Sequence, residues 1–324
     1  MKKDGSTDRF ARGWRRASAF CRCAAGKSLE AKSLASLLEF CRKQNDPQTS
    51  NDRRLRKDPA MLIIGERINA SRKSIAEAIS SRNAPFIQNE AKAQAMAGAD
   101  YLDVNAGTFV GEEAKHLLWV IETVQEVVNL PLCIDSPDPS VIKAMIPLVK
   151  KTPMINSITL EPSRLEGIMP LVAEHKTKVI ALCQSGDSVA DTAEAKVEMA
   201  GQLVERVKAA GIPLDDLYID PLVYPLATND QSALATLDAI EKIMKEFPGV
   251  HTTCGLTNVS YGLPNRKLVN RTFLVSAIAR GLDSAILDPI DRQLFGALKA
   301  ALMIAGKDEF CIQYITGFRE GKLE

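Results

Sequence analysis

From Met61 onward, short apolar runs alternate with longer helical patterns, and this alternation limits the folds open to the chain. It is typical of parallel strands joined by helical crossovers. The apolar runs span residues 62–64, 101–104, 130–134, 154–158, 178–183, 217–219, 250–254 and 284–287. Eight such runs predict an α/β protein with a closed (β/α)8 TIM barrel, which typically takes about 250 residues. A doubly wound open sheet is the alternative, although no GxGxxG turn follows the first run.

Helical patterns fill the intervals between the runs. Gly98, Gly211 and Gly281 each directly follow one of these patterns, a position where glycine commonly ends a helix. The predicted helices span residues 74–97, 113–128, 140–150, 163–174, 192–210, 231–247, 268–280 and 292–305.

Residues 1–60 differ from the remainder in charge, with 15 Lys/Arg against 7 Asp/Glu. Three interpretations stand: a flexible basic appendage, a targeting peptide, or an upstream extension of the true reading frame. Asp4 and Asp8 argue against a transit peptide, which is poor in acids. Met61 directly precedes the first run, which favours an appendage or an extension. We predict an N-terminal extension over residues 1–60 without a role in the chemistry, and a barrel domain over residues 61–324.

Composition narrows the class of protein further. Three of the seven cysteines, Cys133, Cys183 and Cys254, fall in predicted buried runs, where a reduced cysteine packs as a small apolar residue. This usage favours a reducing cytoplasm. No apolar run approaches the roughly 20 residues of a membrane helix. The 26 Lys/Arg and 33 Asp/Glu beyond residue 60 show no nucleic-acid footprint.

A carboxylate or an amide follows every predicted strand. Active sites of (β/α)8 barrels lie at the carboxyl ends of the strands, so these groups predict a polar cup at one barrel mouth. Each alone has an alternative role in capping the next helix. The residues concerned are Glu66, Asn69, Asp103, Asn105, Asp135, Asn156, Gln184, Asp220, Asn258 and Asp288.

The loop at residues 255–271, GLTNVSYGLPNRKLVNR, is rich in polar side chains. Amide, hydroxyl and guanidinium groups crowd into it, and it follows the seventh predicted strand. Such a loop suits a polar ligand, since binding groups usually lie on loops held by a rigid scaffold. Helix capping by its Asn and Ser side chains is the alternative.

The missing motifs restrict the chemistry of the cup. No HExxH, HxH, GxSxG or GxxxxGK[ST] occurs, and no lysine ends a strand. We therefore predict no histidine-bound zinc, no Ser/His nucleophile and no Schiff base. We also predict no metal site, although Asp103, Asp135 and Asp220 are oxygen ligands of the kind that magnesium prefers. Carboxylate acceptors beside amides suit a planar heterocycle with adjacent N–H donors, a description that pterin, guanine and flavin all meet.

Six motifs, in order, carry a resemblance over about residues 61–322: MLIIGERIN, YLDVNAG, LCIDSP, MINSI, LYIDPL and GLTNVSYGLPNR. They resemble the pterin-binding methyltransferases, above all the methyltetrahydrofolate:corrinoid protein methyltransferases. The folate domain of cobalamin-dependent methionine synthase is similar, and dihydropteroate synthase is a more distant relative. The resemblance implies a (β/α)8 barrel that acts as a homodimer. It also implies methyl transfer between N5 of 5-methyltetrahydrofolate and the cobalt of a corrinoid. Because no DxHxxG cobalamin motif is present, the corrinoid is expected on a separate partner protein.

The same resemblance assigns expected roles to individual residues. Asp135, Asn156 and Asp220 match the residues that grip the pterin ring. Asn258 matches the asparagine that approaches N5, and Asp220 is expected to act with Asn258 in catalysis. Arg266 matches another residue on the ligand side. The remaining residues expected at the mouth are Asp103, Asn105, Tyr261 and Gln184.

Two residues depart from the pattern of the nearest relatives. Tyr261 stands where the corrinoid/iron–sulfur-protein enzymes tend to have Gln, and Gln184 also differs from the usual residue. Two alternative functions remain at this point. A dihydropteroate synthase would carry INxTPDSF after the first strand, whereas this chain reads INASRKS. A non-catalytic folate-binding protein is the other alternative.

Overall fold

The computed structural model describes residues 61–186 and 188–323, so the expectations for residues 1–60 lie outside the described residues. Eight strands in this part form one parallel sheet. They are β1 Leu62–Asn69, β2 Tyr101–Asn105, β3 Leu132–Asp135, β4 Met154–Ile158, β5 Lys178–Leu182, β6 Leu217–Asp220, β7 His251–Thr252 and β8 Ser284–Leu287. A small antiparallel hairpin, Gln184–Ser185 with Ser188–Val189, follows β5.

The strands are ordered β8-β1-β2-β3-β4-β5-β6-β7 around the sheet. First and last strands pair directly, with Leu62 opposite Ser284. The two sheet edges, β7 and β8, meet through a bridge between Gly255 and Ile286 and a 3.0 Å bond from Ile286 N to Cys254 O. The predicted (β/α)8 barrel is therefore confirmed, and the open sheet is not observed.

Helices surround this barrel, and their apolar faces pack on its outer surface. They are α1 Lys73–Ser80, α2 Ala84–Met96, α3 Glu113–Gln125, α4 Pro139–Met145, α5 Pro162–His175, α6 Ala193–Ala209, α7 Ser232–Glu246, α8 Arg266–Ala279, α9 Arg292–Ile304 and α10 Ile312–Arg319. No helix of the described part is both long and apolar enough to cross a membrane.

The barrel interior is closed by a layer of apolar and aromatic side chains, which we call the inner layer. Because successive strand residues point to opposite faces, only alternate residues of each strand reach this interior. The inner layer consists of Leu62, Ile64, Tyr101, Cys133, Met154, Ile180, Leu182, Tyr218 and Ile286. It fills this part of the barrel interior, so a site inside the barrel must lie above it, at the mouth.

Several elements differ from their predicted bounds. The helix expected over residues 74–97 is two helices, because Arg82 adopts φ +54° and Asn83 starts a new helix by accepting from Phe86 N at 3.3 Å. The first strand continues through GERIN to Asn69, with a register shift after Gly65. The seventh strand is shorter than expected. Helix α10 was not predicted at all.

Candidate functional site

A ring of mainly acidic and amide side chains lies directly above the inner layer. In each contributing strand, a polar residue stands two positions after an inner-layer residue, so both point into the barrel. We call this set the mouth ring: Glu66, Asp103, Asp135, Asn156, Gln184, Asp220 and Asp288. The two-residue spacing explains why these side chains converge at one end of the barrel.

Two amide–carboxylate pairs join different strands at the mouth, one between β4 and β2 and one between β2 and β3. Asn156 Nδ2 lies 3.4 Å from Asp103 Oδ1, and Asn105 Nδ2 donates to Asp135 Oδ2 at 3.0 Å. Asp103 is only 2% exposed. Burial, together with the charge of Asp135, raises the pKa of Asp103 well above its usual range. Burial and the like charge of Asp135 therefore favour the protonated form of Asp103.

Asp135 and Asp220 are better placed to be ionised. Burial raises the pKa of each to about 6. The hydrogen bond from Asn105 opposes that rise at Asp135, and the backbone N–H groups of Leu222 and Gly255 oppose it at Asp220. Near pH 7 both carboxylates are largely acceptors, as a ligand edge with N–H donors requires.

Asp220 also joins two loops of the mouth. Its Oδ1 accepts from Leu222 N at 2.7 Å, and its Oδ2 accepts from Gly255 N at 3.2 Å. A carboxylate has about four lone-pair sites, so both oxygens retain acceptor capacity for a ligand. Gly255 begins the polar loop, and the position of that loop is therefore tied to the end of β6.

The polar loop forms a 3-10 turn over Leu256–Ser260 with Asn258 exposed to solvent. Arg266 supports this turn, because its Nη2 donates to Thr257 O at 2.8 Å and its Nε to Ser260 Oγ at 3.0 Å. Tyr261 is 67% exposed, with its ring centroid 5.7 Å from the Arg266 guanidinium. Asn265, directly before α8, makes no side-chain cap. The side chains of this loop therefore brace it more than they cap helices.

The structure brings together most of the predicted site residues. Asp103, Asn105, Asp135 and Asn156 form hydrogen-bonded pairs, whereas Arg266 and Tyr261 lie on the exposed loop. Gln184 is half-buried, and its amide donates to Gly186 O at 2.9 Å within its own hairpin.

Glu66 was predicted in the polar cup without a specific role, and the structure gives it a specific contact. Its Oε2 accepts from Thr257 Oγ1 at 3.3 Å, which links β1 to the polar loop. Burial raises the pKa of Glu66 to about 7, and the neighbouring charge of Asp288 adds to the rise. The signal was present in GERIN, where Glu66 follows inner-layer Ile64 by two residues, but only the extended β1 shows that it points inward.

Arg164 is a residue at the site that sequence reasoning missed. Its Nε donates to Ser157 O at 3.0 Å and its Nη2 to Ser136 O at 3.2 Å, so it ties the ends of β3 and β4 together. Its positive charge also opposes the rise in the pKa of Asp135. Arg164 lies in the first turn of α5, far along the chain from Asp135, and no local pattern indicated the contact.

The described residues contain no group of three or more His, Cys, Asp or Glu side chains arranged to hold a metal ion. The mouth instead offers acceptors at Asp135 and Asp220 together with the amide of Asn156, which lies next to the buried carboxyl of Asp103. This combination can hold a polar, planar ring by its edge through hydrogen bonds of both directions.

Comparisons with known proteins agree with this arrangement. The chain is 39% identical over 265 residues to methylcorrinoid:tetrahydrofolate methyltransferase of Eubacterium limosum, covering 81% of this chain and 98% of that protein. It is 35% identical over 246 residues to methionine synthase of Mycobacterium leprae, covering 71% of this chain but 20% of that protein. A dihydropteroate synthase of Coxiella burnetii in complex with pteroic acid shares the fold, with a TM-score of 0.58 and 19% identity over 77% of this chain and 95% of that one.

The family itself is identified by a sequence model described as "Pterin binding enzyme", which matches residues 65–288 and so spans the barrel from β1 to the end of β8. The resemblance carried by the six motifs is confirmed. The chain belongs to the pterin-binding enzymes and, within that family, to the methyltransferases.

Proposed function

We propose that this protein transfers a methyl group between N5 of 5-methyltetrahydrofolate and the cobalt of a corrinoid bound to a separate protein. The mouth ring is the main observation that supports the proposal, because its acceptors and amides complement the amino and ring N–H groups of a pterin. Similarity to a relative named methylcorrinoid:tetrahydrofolate methyltransferase supports the same substrates.

The pterin ring would lie between the acidic side chains of the mouth. Asp135 and Asp220 would accept its N–H donors, and Asn156 would pair with either a donor or an acceptor on the ring edge. N–H donors favour the ionised form of a carboxylate, so binding would lower the raised pKa values of Asp135 and Asp220. The remaining mouth residues, Asp103, Asn105 and Gln184, would support this pocket from the sides.

Methyl transfer from folate breaks the bond between the methyl carbon and N5, and the electron pair of that bond stays on N5. The nucleophilic cobalt(I) supplies the pair for the new bond to carbon, and N5 takes up a proton through the hydrogen-bonded network or water. A bond from Asn258 that strengthens as N5 becomes protonated would stabilise the transition state selectively. One such group contributes about 3 kcal/mol in comparable sites. Asp220 would assist by holding the loop through Gly255.

The exposed loop would meet the corrinoid partner. Tyr261 and Arg266 lie on its outer side, where they would line the approach of the corrinoid to the folate. We also propose that the protein is a cytoplasmic homodimer and that residues 61–324 contain the whole catalytic unit. Sedimentation velocity on the purified protein tests the dimer.

The test of this function mixes the protein with cob(I)alamin and 5-methyltetrahydrofolate and follows methylcobalt absorbance. We expect the absorbance to appear, and Asn258→Ala to slow it about 100-fold while calorimetry shows nearly unchanged folate affinity. Asn129→Ala is the matched control, because Asn129 is exposed and precedes β3 at the opposite end of the barrel. It should retain the full rate.

Each outcome of this experiment decides between functions. Folate binding without methylcobalt, using both free cob(I)alamin and corrinoid proteins, would leave a non-catalytic folate-binding protein. In a separate assay with a pterin diphosphate and p-aminobenzoate, condensation of the two would indicate a dihydropteroate synthase instead. An equal loss of rate in Asn258→Ala and Asn129→Ala would remove Asn258 from the mechanism.

A further inference from the structure

A lysine that none of the proposed steps uses is buried beside the mouth ring. Lys196 lies on α6 and is 1% exposed. Its ammonium donates to Pro221 O and to Leu222 O, both at 2.7 Å, and lies 5.3 Å from the ring centroid of Tyr224. A buried charge is costly unless it is paired and hydrogen-bonded, so these contacts account for how the protein tolerates it.

The backbone that Lys196 holds is in an unfavourable conformation. Leu222 has φ +57°, a left-handed geometry that is unfavourable for a residue other than glycine. In this geometry Leu222 N donates to Asp220 Oδ1 at 2.7 Å. Thr236 Oγ1 adds a weaker bond to Leu222 O at 3.3 Å. The donor that orients Asp220 thus belongs to a strained residue whose carbonyl is held by Lys196.

We propose that Lys196 is a positioning residue for the pterin site. It holds Pro221 and Leu222 in the conformation that directs the Leu222 N–H at Asp220, and so fixes the carboxylate in the orientation that receives the N–H donors of the pterin. This inference rests on the proposed folate binding, in which Asp220 contacts the ring.

The charge of Lys196, like its hydrogen bonds, favours an Asp220 carboxylate that can accept from the pterin. It favours the ionised form of Asp220 and so opposes the effect of burial on that carboxyl. Other groups face Asp220 from the surrounding elements and would remain when Lys196 is replaced. They are Cys183, Tyr224, Cys254 and the N–H groups of Leu222 and Gly255.

The test replaces Lys196 by methionine in the full chain and measures 5-methyltetrahydrofolate binding by calorimetry between pH 5 and 8. Lys196→Met keeps most of the side-chain length but removes the donors and the charge. We expect affinity at pH 7 to fall at least tenfold, and the acidic midpoint of the binding profile to move to higher pH. Lys208→Met is the matched control, because Lys208 lies exposed on the same helix and pairs with Glu205 at 3.0 Å. It should change neither quantity.

A second variant separates positioning from charge. In Lys196→Met/Leu222→Gly, glycine adopts the left-handed conformation without penalty, so the lost affinity should be partly restored while the shifted midpoint remains. If Lys196→Met does not fold, Lys196→Gln, which keeps a neutral donor, is measured in its place. Wild-type affinity and an unshifted midpoint in the folded variant would overturn the inference. Failure of the wild-type protein to bind the folate would instead remove the proposed function.

Discussion

The Thr257 hydroxyl donates to Glu66 Oε2 at 3.3 Å, joining residues that are 191 positions apart in the chain. This bond connects β1 to the turn that carries Asn258, the residue expected beside N5. Asp288 lies near the same carboxyl and raises its pKa. Glu66 therefore couples the protonation state of the mouth to the position of the polar loop.

Replacement of Glu66 by Gln should change how stability depends on pH. The pKa of Glu66 is raised from 4.5 to about 7, so the folded protein binds this proton more tightly than the unfolded chain and loses stability as pH rises between those values. A rise of that size corresponds to about 3 kcal/mol. We expect Glu66→Gln to gain up to that amount relative to wild type between pH 4.5 and pH 8, measured by urea unfolding. Glu122→Gln, at an exposed site on α3, should show a constant difference.

Asn105→Ala should weaken folate binding without a large effect on the rate at saturation. Asn105 Nδ2 donates to Asp135 Oδ2 at 3.0 Å, and a hydrogen bond to a charged group contributes about 1.5 kcal/mol, or roughly tenfold in affinity. Asn105→Asp should bind more weakly still, because it places a second carboxylate beside Asp135. Equal dissociation constants for wild type and Asn105→Ala in calorimetry would contradict a role in orienting Asp135.

Gly65→Ala tests the packing behind the mouth ring. A Cβ at Gly65 would overlap Gln94 Oε1 and lie 3.1 Å from Gln94 Cδ, and that same oxygen accepts from Arg67 N at 3.0 Å. Because Gln94 must move, we expect a loss of about 2 kcal/mol in unfolding free energy. Gly107→Ala is the control, since its Cβ would meet its nearest neighbour at 3.6 Å. Similar unfolding midpoints for the two variants would show that Gln94 moves at no cost.

His251→Phe should destabilise the protein more at acidic than at basic pH. The ring nitrogens of His251 lie 2.6 Å from Asp283 and 3.2 Å from Asp215. Burial alone would lower the pKa of His251, but the two carboxylates outweigh burial and raise the pKa above its usual value. Its stabilising effect is thus fully present below pH 6.5 and is lost as pH rises through the folded-state pKa. Phenylalanine keeps the stacking on Tyr218. Thermal unfolding at pH 5.5 and pH 9 measures the difference, and His175→Phe, at an exposed site, should show none.

Periodicity was sufficient to predict the barrel, because alternating apolar runs and amphipathic helices have few other arrangements. It also placed Asp103, Asp135 and Asp220 at one mouth. Periodicity could not show left-handed backbone conformations or contacts between residues that are far apart in the chain. The break at Arg82 depends on a left-handed residue, and the link between Glu66 and Thr257 depends on how the barrel closes. Lys196 looked like an ordinary helix lysine, since nothing local marks the carbonyls of Pro221 and Leu222 as its partners.

The pairing of β1 with β8 has a consequence for synthesis on the ribosome. Arg67 bonds Glu90 at 2.6 Å and Asp288 at 2.8 Å, so one of the carboxylates that neutralise it arrives only with the last strand. Until then, β1 keeps one edge of backbone donors and acceptors open while roughly 220 further residues are made. A chain interrupted before Leu287 would present that edge to other nascent chains, whereas the finished barrel presents none there.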